Sequence, residues 1–239
     1  MIACFPIGLF APTQSTSSTT SSFVPTSLAG LELWDDASDA ASITAAAAAV
    51  SRWADKSGSA NDATQATAAD QPTLSAASID GLPAVVFDGT NDSLTLATPL
   101  PVADVTIAAV VKIAANAGGA TIIGNTGGFA FGVSGGQLFA YTNRYSSQVA
   151  YVPDGQAHLF TLAASSASGG THTLYVDGVA VAGGAWTSTG STVTFDTLGT
   201  RGVEPLHGGI GELMAYSRCL TGAELDQVHA YSSQKWGTP

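Results

Sequence analysis

The segment THTLYVDGVAVAG, residues 171–183, decides the fold class because it predicts a β-hairpin. Apolar and polar or small side chains alternate along it with the period of two that is typical of strands. Between its two halves stand Asp177 and Gly178, a residue pair that favours a two-residue turn with positive φ at both positions. We therefore predict two antiparallel strands joined at this turn.

The same period of two continues upstream of the hairpin. In DVTIAAVVKI, residues 104–113, one face collects Val105, Ile107, Ala109, Val111 and Ile113. The segment GGFAFGVSGGQLFAYT, residues 127–142, predicts two strands joined at Ser134-Gly135-Gly136. This turn formally matches Gly-x-Ser-x-Gly, but a nucleophilic serine in that motif needs a following helix, whereas a strand follows here. The motif therefore predicts a hairpin turn.

Two segments favour helices. Residues 42–53 contain a five-alanine run, which predicts one short helix. In residues 220–237, Thr221 and Glu224 fit a capping box, and a helical stripe follows at Leu225, Val228 and Tyr231. Many strands, glycine-rich turns and one closing helix predict an all-β fold, a two-sheet antiparallel jelly-roll sandwich.

Composition excludes several classes of partner. The 239 residues are 45% hydrophobic and only 10% charged, with a formal net charge of −11. Nucleic acid and anionic membranes need clustered lysine and arginine, so we expect neither as a partner. No apolar run reaches the roughly 20 residues that span a bilayer. The two cysteines do not form a disulfide framework.

The chain divides into three predicted zones. Residues 1–12 form a short apolar segment, residues 13–22 (TQSTSSTTSS) a Ser/Thr-rich linker, and residues 23–239 one globular domain. The apolar segment lacks the charged start and unbroken apolar run of a secretory signal, so we expect no signal peptide. We predict instead that it docks onto a partner by strand addition or by filling a groove. The predicted docking side chains are Phe5, Pro6, Ile7, Leu9 and Phe10.

Four stretches carry a family resemblance. They are LELWDDASDA with VSRWADKSGSANDATQ (31–40 and 50–65), GLPAVVFDGTNDSLTL (81–96), AHLFTLAASSASGGTHTLYVDGVAV (157–181) and GGIGELMAYSRCLTGAELDQVHAYSSQKWG (208–237). In this order they resemble the laminin-G-like, concanavalin A-like lectin/glucanase superfamily, in the variety found in bacteriophage particles and bacterial surface proteins. The resemblance implies a concanavalin A-like jelly roll. It implies no single activity, because lectins, hydrolases, adhesion modules and packing domains share this fold.

The hydrolases of this superfamily carry Glu-x-Asp-x-x-Glu on one strand, which places two carboxylates across the scissile bond. The glutamates of the chain stand at Glu32, Glu204, Glu212 and Glu224, and none belongs to such a pattern. We therefore expect no enzymatic activity, and a glycoside hydrolase is the least favoured interpretation.

Two acidic loops are candidates for calcium, which binds carboxylate, amide and carbonyl oxygens. FDGTNDSLTL, residues 87–96, offers Asp88, Asn91 and Asp92, and WADKSGSANDA, residues 53–63, offers Asp55 and Asp62. Laminin-G-like domains often bind calcium at the rim of the sandwich. The same residue types also favour tight turns, because they bond their own backbone and tolerate positive φ. A sheet corner is therefore the first interpretation, and a calcium rim the second.

Glycan binding needs aromatic platforms beside polar groups. The candidates, mostly from YTNRYSSQVAY (residues 141–151), are Tyr141, Asn143, Arg144, Tyr145 and Trp186. Aromatic side chains that only pack at a sheet edge are the alternative interpretation.

The tag, linker and acidic sandwich together suggest a domain mounted on a larger assembly. Our primary hypothesis is a non-enzymatic virion accessory protein, such as a capsid decoration, head fibre or tail-associated module. It would contact capsid or tail proteins through residues 1–12 and adhere weakly to surface glycans. The alternative is a calcium-dependent carbohydrate-binding lectin or adhesion module, outside a bacterial cell or on its surface. No coiled-coil heptad is present to specify an oligomer, so homo-oligomerisation stays open.

Overall fold

The computed structural model describes residues 23–101, 103–115, 118–125, 128, 130–142, 145–166, 170–185 and 194–239. Its strands are β1 (Leu31–Asp36), β2 (Ile43–Ala46), β3 (Ala49–Trp53), β4 (Ala63–Thr64), β5 (Thr73–Ile79), β6 (Leu82–Asp88), β7 (Leu94–Pro101), β8 (Val105–Ile113), β9 (Gly119–Gly124), β10 (Ala130–Ser134), β11 (Gln137–Thr142), β12 (Tyr145–Ala150), β13 (Ala157–Ser165), β14 (Thr171–Val176), β15 (Val179–Ala185), β16 (Thr194–Leu198) and β17 (His207–Tyr216). Helix α1 (Gly222–Trp236) follows, and short 3₁₀ turns lie at Pro25–Ser27, Ala40–Ser42 and Ala68–Asp70. None of the helices in these ranges is long and apolar enough to cross a membrane.

The strands form two antiparallel sheets, which are joined at one edge by a pairing between β3 and β5. In the first, β17 pairs with β8 on one side and with β1 and β6 on the other. Beyond β8 follow β13, β14 and β15, and beyond β6 follows β5. The second sheet runs β2-β3-β4-β7-β16-β9-β10-β11-β12. We call the first the helix-side sheet and the second the groove-side sheet. The predicted two-sheet antiparallel sandwich is confirmed.

Strand β8 shows how the three layers of the domain are built. Its predicted apolar face, from Val105 to Ile113, lies in the main core between the two sheets. The opposite face is also buried, because Ala108 and Val110 pack in a second apolar cluster with Leu225 and Val228 of α1. Fully burying an aliphatic side chain of the size of valine or leucine contributes roughly 1.5–3 kcal/mol. The helix therefore protects a second apolar layer.

Helix α1 begins and ends where the sequence predicts. At its start the Glu224 carboxylate accepts the backbone N–H of Thr221 at 2.9 Å, as a capping box requires. At its end Gly237 has φ +62°, a left-handed conformation that glycine adopts without strain. Leu225 and Val228 are buried against the sheet. The predicted C-terminal helix is confirmed.

Glu212 on β17 binds helix α1 to the helix-side sheet. Its carboxylate is fully buried. The donors that reach it are Trp34 Nε1 (2.7 Å), Tyr231 Oη (2.8 Å) and Lys235 Nζ (3.0 Å) on Oε1, and Trp236 Nε1 (2.6 Å) on Oε2. Because these donors come from β1 and α1, one carboxylate links two strands and the helix. This structural role of Glu212 was not predicted from the sequence, where the glutamate was considered only as a catalytic candidate.

The predicted helix over residues 42–53 is wrong. Apart from the 3₁₀ turn that ends at residue 42, the segment forms a β-hairpin of β2 and β3. Ala47 and Ala48 at its tip have φ of +48° and +73°, the positive values that a two-residue hairpin turn of type I′ needs. Alanine is the strongest helix former, but propensity is a weak constraint that tertiary pairing overrides.

A β-bulge explains why the sequence of β3 looks helical. Consecutive residues of β2 pair with Arg52 and Val50, so that Ser51 is an extra residue on β3. The bulge turns both Val50 and Trp53 toward the core, where both are fully buried. Their spacing of three is the spacing of one helix face, although the backbone is extended.

The two other turn predictions are confirmed. Asp177 and Gly178 have φ of +50° and +78°, and they join β14 to β15. Gly135 and Gly136 have φ of +56° and +76°, and they join β10 to β11. Ser134 therefore precedes a hairpin turn and not a helix, which excludes a nucleophile elbow at this position.

Candidate functional site

The outer face of the groove-side sheet carries a set of aromatic and amide side chains. Along β11, Leu138 and Ala140 point into the main core, so alternation places Gln137, Phe139 and Tyr141 on the outer face. On β12, Gln148 lies directly opposite Phe139. Both glutamines are exposed. An aromatic surface flanked by amides is thus a direct result of strand alternation.

A loop after β16 adds the charged side chains. The Gly199 N–H donates to the Ile122 carbonyl at 3.1 Å, and the Thr121 N–H donates to the Glu204 carbonyl at 3.0 Å, so the loop runs beside β9. A Cβ at Gly119 would lie 2.9 Å from the Glu204 side chain, so glycine at that position gives the glutamate its room. Strands and loop enclose a groove of about 430 Å³. Its described lining residues are Ser134, Gly135, Gln137, Phe139, Tyr141, Gln148, Arg201 and Glu204.

The charges of the groove are paired with each other. Arg201 donates from Nε and Nη2 to Glu204 Oε2, at 3.0 and 2.7 Å. The other oxygen of Glu204 accepts the Ser134 hydroxyl. The guanidinium carbon lies 6.0 Å from the centre of the Phe139 ring and 5.7 Å from that of Tyr141, within the range of cation–π attraction. The arginine is thereby held over the aromatic surface.

This arrangement suits a ligand with both an apolar ring face and hydroxyl groups. Tyr141 is half-buried and presents part of its ring to the groove, whereas Phe139 is only 5% exposed beneath it. Each glutamine offers an amide donor and an acceptor, and hydroxyl groups need both. A few polar groups on an aromatic floor are typical of small-ligand sites.

Comparisons with known proteins identify the superfamily to which this fold belongs. A family model described as the concanavalin A-like lectin/glucanases superfamily matches residues 88–226, more than half of the chain. The chain belongs to this superfamily. The sequence-based resemblance is therefore confirmed. No curated protein sequence matches the chain.

Solved structures with a similar fold include a sialidase, a binding domain and one domain of an arabinanase. The sialidase of Trypanosoma rangeli with sialic acid has a TM-score of 0.59 at 17% identity, over 88% of this chain and 34% of that chain. The binding domain of Paraclostridial Mosquitocidal Protein 1 has a TM-score of 0.61 at 12% identity, over 90% and 56%. Domain 4 of AbnA, a GH43 extracellular arabinanase from Geobacillus stearothermophilus, in complex with arabinotriose, has a TM-score of 0.59 at 16% identity, over 82% and 97%. The chain thus spans about a third of the sialidase, and these identities show the fold alone.

The predicted glycan-binding residues differ in how much of each the structure describes. Tyr141 lines the groove. Tyr145 begins β12, but its side chain is outside the described part of the structure, as are Asn143, Arg144 and Trp186 altogether. Five further lining residues were not predicted, although alternation along QLFAYT indicates the first two: Gln137, Phe139, Gln148, Arg201 and Glu204. Residues 1–12, with the predicted docking side chains, and the linker at 13–22 also lie outside the described residues.

The predicted calcium loop at residues 53–63 is held by hydrogen bonds to its two carboxylates. Asp55 Oδ1 accepts a backbone N–H of β1 at 2.9 Å and that of Ser57 at 2.8 Å. Asp62 Oδ1 accepts the Asp55 N–H at 3.0 Å, and Asp62 Oδ2 pairs with Arg52 at 2.7 Å. Both carboxylates therefore fix the loop against β1 and β3.

The other predicted calcium loop, residues 87–96, is also held by hydrogen bonds within and around it. Asp88 Oδ1 accepts the N–H of Thr90 at 2.7 Å, and Asp92 Oδ2 accepts the Asp88 N–H at 2.9 Å. Asn91 Nδ2 donates to Asp70 Oδ1 at 2.6 Å. Burial, together with the charges of Asp88 and Asp70, raises the pKa of Asp92, although the Asp88 N–H opposes this shift. These contacts favour the sheet-corner interpretation.

Among the described residues no group of three or more His, Cys, Asp or Glu side chains is placed to hold a metal ion. Calcium binding by Asp55, Asp62, Asp88, Asn91 and Asp92 stays a prediction.

A titratable cluster lies apart from the groove, at the turn between β14 and β15. His158 Nδ1 lies 2.6 Å from Asp177 Oδ2, and Nε2 lies 3.2 Å from Asp154 Oδ1. Asp177 Oδ1 also accepts the Leu159 N–H at 2.8 Å. Burial acts to lower the pKa of His158, but the hydrogen bonds and charges of the two carboxylates outweigh it, and the pKa is raised. His158 thus ties the turn to β13 through its bonds to the two carboxylates.

Asp35 on β1 is a buried acid without an evident structural role. Its side chain is fully buried, and neither carboxyl oxygen has a hydrogen-bond partner among the described residues. Burial, with smaller effects from the charges of Asp55 and Asp62, raises the pKa of Asp35 well above its ordinary value. Compared with the unfolded chain, the folded protein therefore shifts this acid toward its protonated form.

Proposed function

We propose that this domain is a non-catalytic glycan-binding module whose ligand occupies the groove on the groove-side sheet. The observation that carries the proposal is the half-buried ring of Tyr141, which lines the groove beside the exposed amides of Gln137 and Gln148. Aromatic rings stack on the apolar faces of sugars, and amides bond their hydroxyls. The likeness to domain 4 of AbnA, which was solved with arabinotriose, supports the same class of ligand.

The carboxylate side chains that line the groove favour binding over hydrolysis. Most glycoside hydrolases place two carboxylates across the scissile bond. Of the described residues that line the groove, Glu204 is the single carboxylate, and Ser134 and Arg201 donate to its two oxygens. We therefore expect no release of reducing ends from oligosaccharides that bind, and measurable turnover would contradict the non-catalytic role.

The setting we propose for this module is a virion, as an accessory protein of the capsid or tail. The support is the order of the chain, an apolar segment at 1–12 and a Ser/Thr-rich linker at 13–22 ahead of the sandwich. Deletion of residues 1–22 is expected to abolish attachment to the particle and to leave the circular-dichroism spectrum of the sandwich unchanged. Retained attachment would refute the docking role of this segment.

The binding test uses a panel of glycans against the full chain, first with calcium and then with a chelator. We expect Tyr141→Ala to weaken binding at least about tenfold, as loss of a stacking platform worth about 1.4 kcal/mol would do. Tyr141→Phe keeps the ring and is expected to bind almost normally. The glycan affinity of Gln148→Ala is compared with that of the control variant Gln227→Ala, which removes an exposed glutamine from α1. Equal binding by wild type and Tyr141→Ala would refute the groove as the site, and binding lost with the chelator would favour the calcium-dependent lectin.

A further inference from the structure

The charges in the groove suggest which class of glycan it accepts. Among the described lining residues, Arg201 is the single cation and Glu204 the single anion. Two guanidinium nitrogens donate to the same carboxylate oxygen, at 3.0 and 2.7 Å. Their side chains are only 22% and 27% exposed, so water screens the pair only in part. Within this described lining, the cation that would attract an acidic sugar is thus already neutralised.

The pair is also fixed in position. Glu204 accepts the Ser134 hydroxyl on its second oxygen and has its backbone carbonyl bonded to β9. On its other side Arg201 is held over the rings of Phe139 and Tyr141. To reach Arg201, a sugar carboxylate would have to displace the Glu204 carboxylate or lie next to it. Two neighbouring negative charges repel each other. The formal net charge of −11 adds to this repulsion.

A neutral sugar meets no such opposition. Its ring stacks on Tyr141, and its hydroxyls bond the exposed amides of Gln137 and Gln148, which are uncharged and serve as both donor and acceptor. Bonds between neutral partners do not require the ion pair to open.

We infer that the groove selects neutral over anionic glycans, and that Glu204 sets this selectivity by neutralising Arg201. The inference rests on the proposed glycan-binding function. Glu204 here excludes acidic ligands by its charge, in addition to any contact it makes with a neutral one.

The test measures the affinity of the full-length protein for neutral and anionic probes by titration calorimetry. Arabinotriose and cellotriose are the neutral probes, and 3′-sialyllactose and trigalacturonate the anionic ones. For the wild type we expect at least one neutral probe to bind at least about tenfold more tightly than either anionic probe. An anionic probe that binds as tightly as the neutral ones would overturn the inference and leave the glycan-binding function standing.

Variants separate the charge of Glu204 from its structural contacts. Glu204→Gln keeps the shape but frees the charge of Arg201, so the ratio of neutral to anionic affinity is expected to fall at least about tenfold. The double variant Glu204→Gln/Arg201→Gln is expected to restore the neutral preference. An unchanged ratio in folded Glu204→Gln would overturn the role of Glu204, and if that variant does not fold, the ratio in the wild type decides. Binding of no probe at all would overturn the proposed function, and this inference with it.

Discussion

Removal of the Glu212 carboxylate tests directly how helix α1 is held on the helix-side sheet. We expect Glu212→Ala to lower the free energy of unfolding by about 3–5 kcal/mol, the usual cost of breaking a buried charged pair. The carboxylate is fully buried and accepts four hydrogen bonds of 2.6–3.0 Å. Two of the four donors are the indole N–H groups of Trp34 and Trp236, which have no other acceptor after the substitution among the bonds that this structure shows.

The size of the effect follows from what each donor loses. An unsatisfied buried donor costs about 1–3 kcal/mol, so the two indoles alone account for most of the expected loss. Lys235 keeps its ion pair with Asp36 Oδ1 at 2.8 Å and loses less. Glu212→Gln retains one acceptor oxygen in the same shape, and we expect it to cost about 2 kcal/mol.

The assay is urea unfolding of the full chain, followed by tryptophan fluorescence. Glu32→Ala is the matched control, because Glu32 lies on the neighbouring β1 and accepts a single bond, from the Ser217 hydroxyl at 2.9 Å. Its side chain is only half-buried, and we expect a loss of less than about 1 kcal/mol. A loss no larger for Glu212→Ala than for Glu32→Ala would refute the reasoning.

Four further predictions concern stability. Gly211→Ala should cost about 1–3 kcal/mol in urea unfolding, because its Cβ would lie 2.7 Å from the Trp236 ring, and an unchanged midpoint would contradict this packing. The raised pKa of His158 gives stability that is fully present below the unfolded pKa of about 6.5 and is lost as pH rises through the folded value. His158→Asn should therefore lose more stability at about pH 6 than at about pH 8.5, and equal losses would argue against the ion pairs. Burial raises the pKa of Asp35, so the protein loses stability as pH rises from the unfolded pKa of this acid through its folded value. Asp35→Asn removes this loss and should raise the melting temperature at about pH 8. A lower melting temperature would contradict an acid without partners. Ala48→Gly should stabilise by about 1 kcal/mol in urea, because φ is +73° there, and destabilisation would argue against this turn.

Local signals predicted the parts of the fold that depend on local chemistry. The Asp177-Gly178 turn and the capping box at Thr221 and Glu224 each need only a few neighbouring residues, and both are present. The alternation along β8 also predicted its core face. The hairpin of β2 and β3 could not be predicted, because the bulge at Ser51 gives its buried residues a helical spacing.

Half of the candidate site was within reach of the sequence. Tyr141 was predicted, and strand alternation places Gln137 and Phe139 on the same face. Arg201 and Glu204 come from a loop that pairing with β9 brings to this face, and no local pattern encodes that pairing. Sequence patterns therefore indicate the aromatic surface but not the ion pair that we propose as the source of its selectivity.

The glutamates show how a chain with few charges uses them. Glu32 accepts a serine hydroxyl, and Glu224 accepts the amide of the helix cap and an arginine. Glu212 accepts two indoles, a tyrosine and a lysine. Glu204 accepts an arginine and a serine within the groove. Each of these four carboxylates is engaged by donors of the fold, and of the four only Glu204 lines the groove. Glu204 is therefore, through its bond to Arg201, the glutamate whose loss should change ligand selectivity.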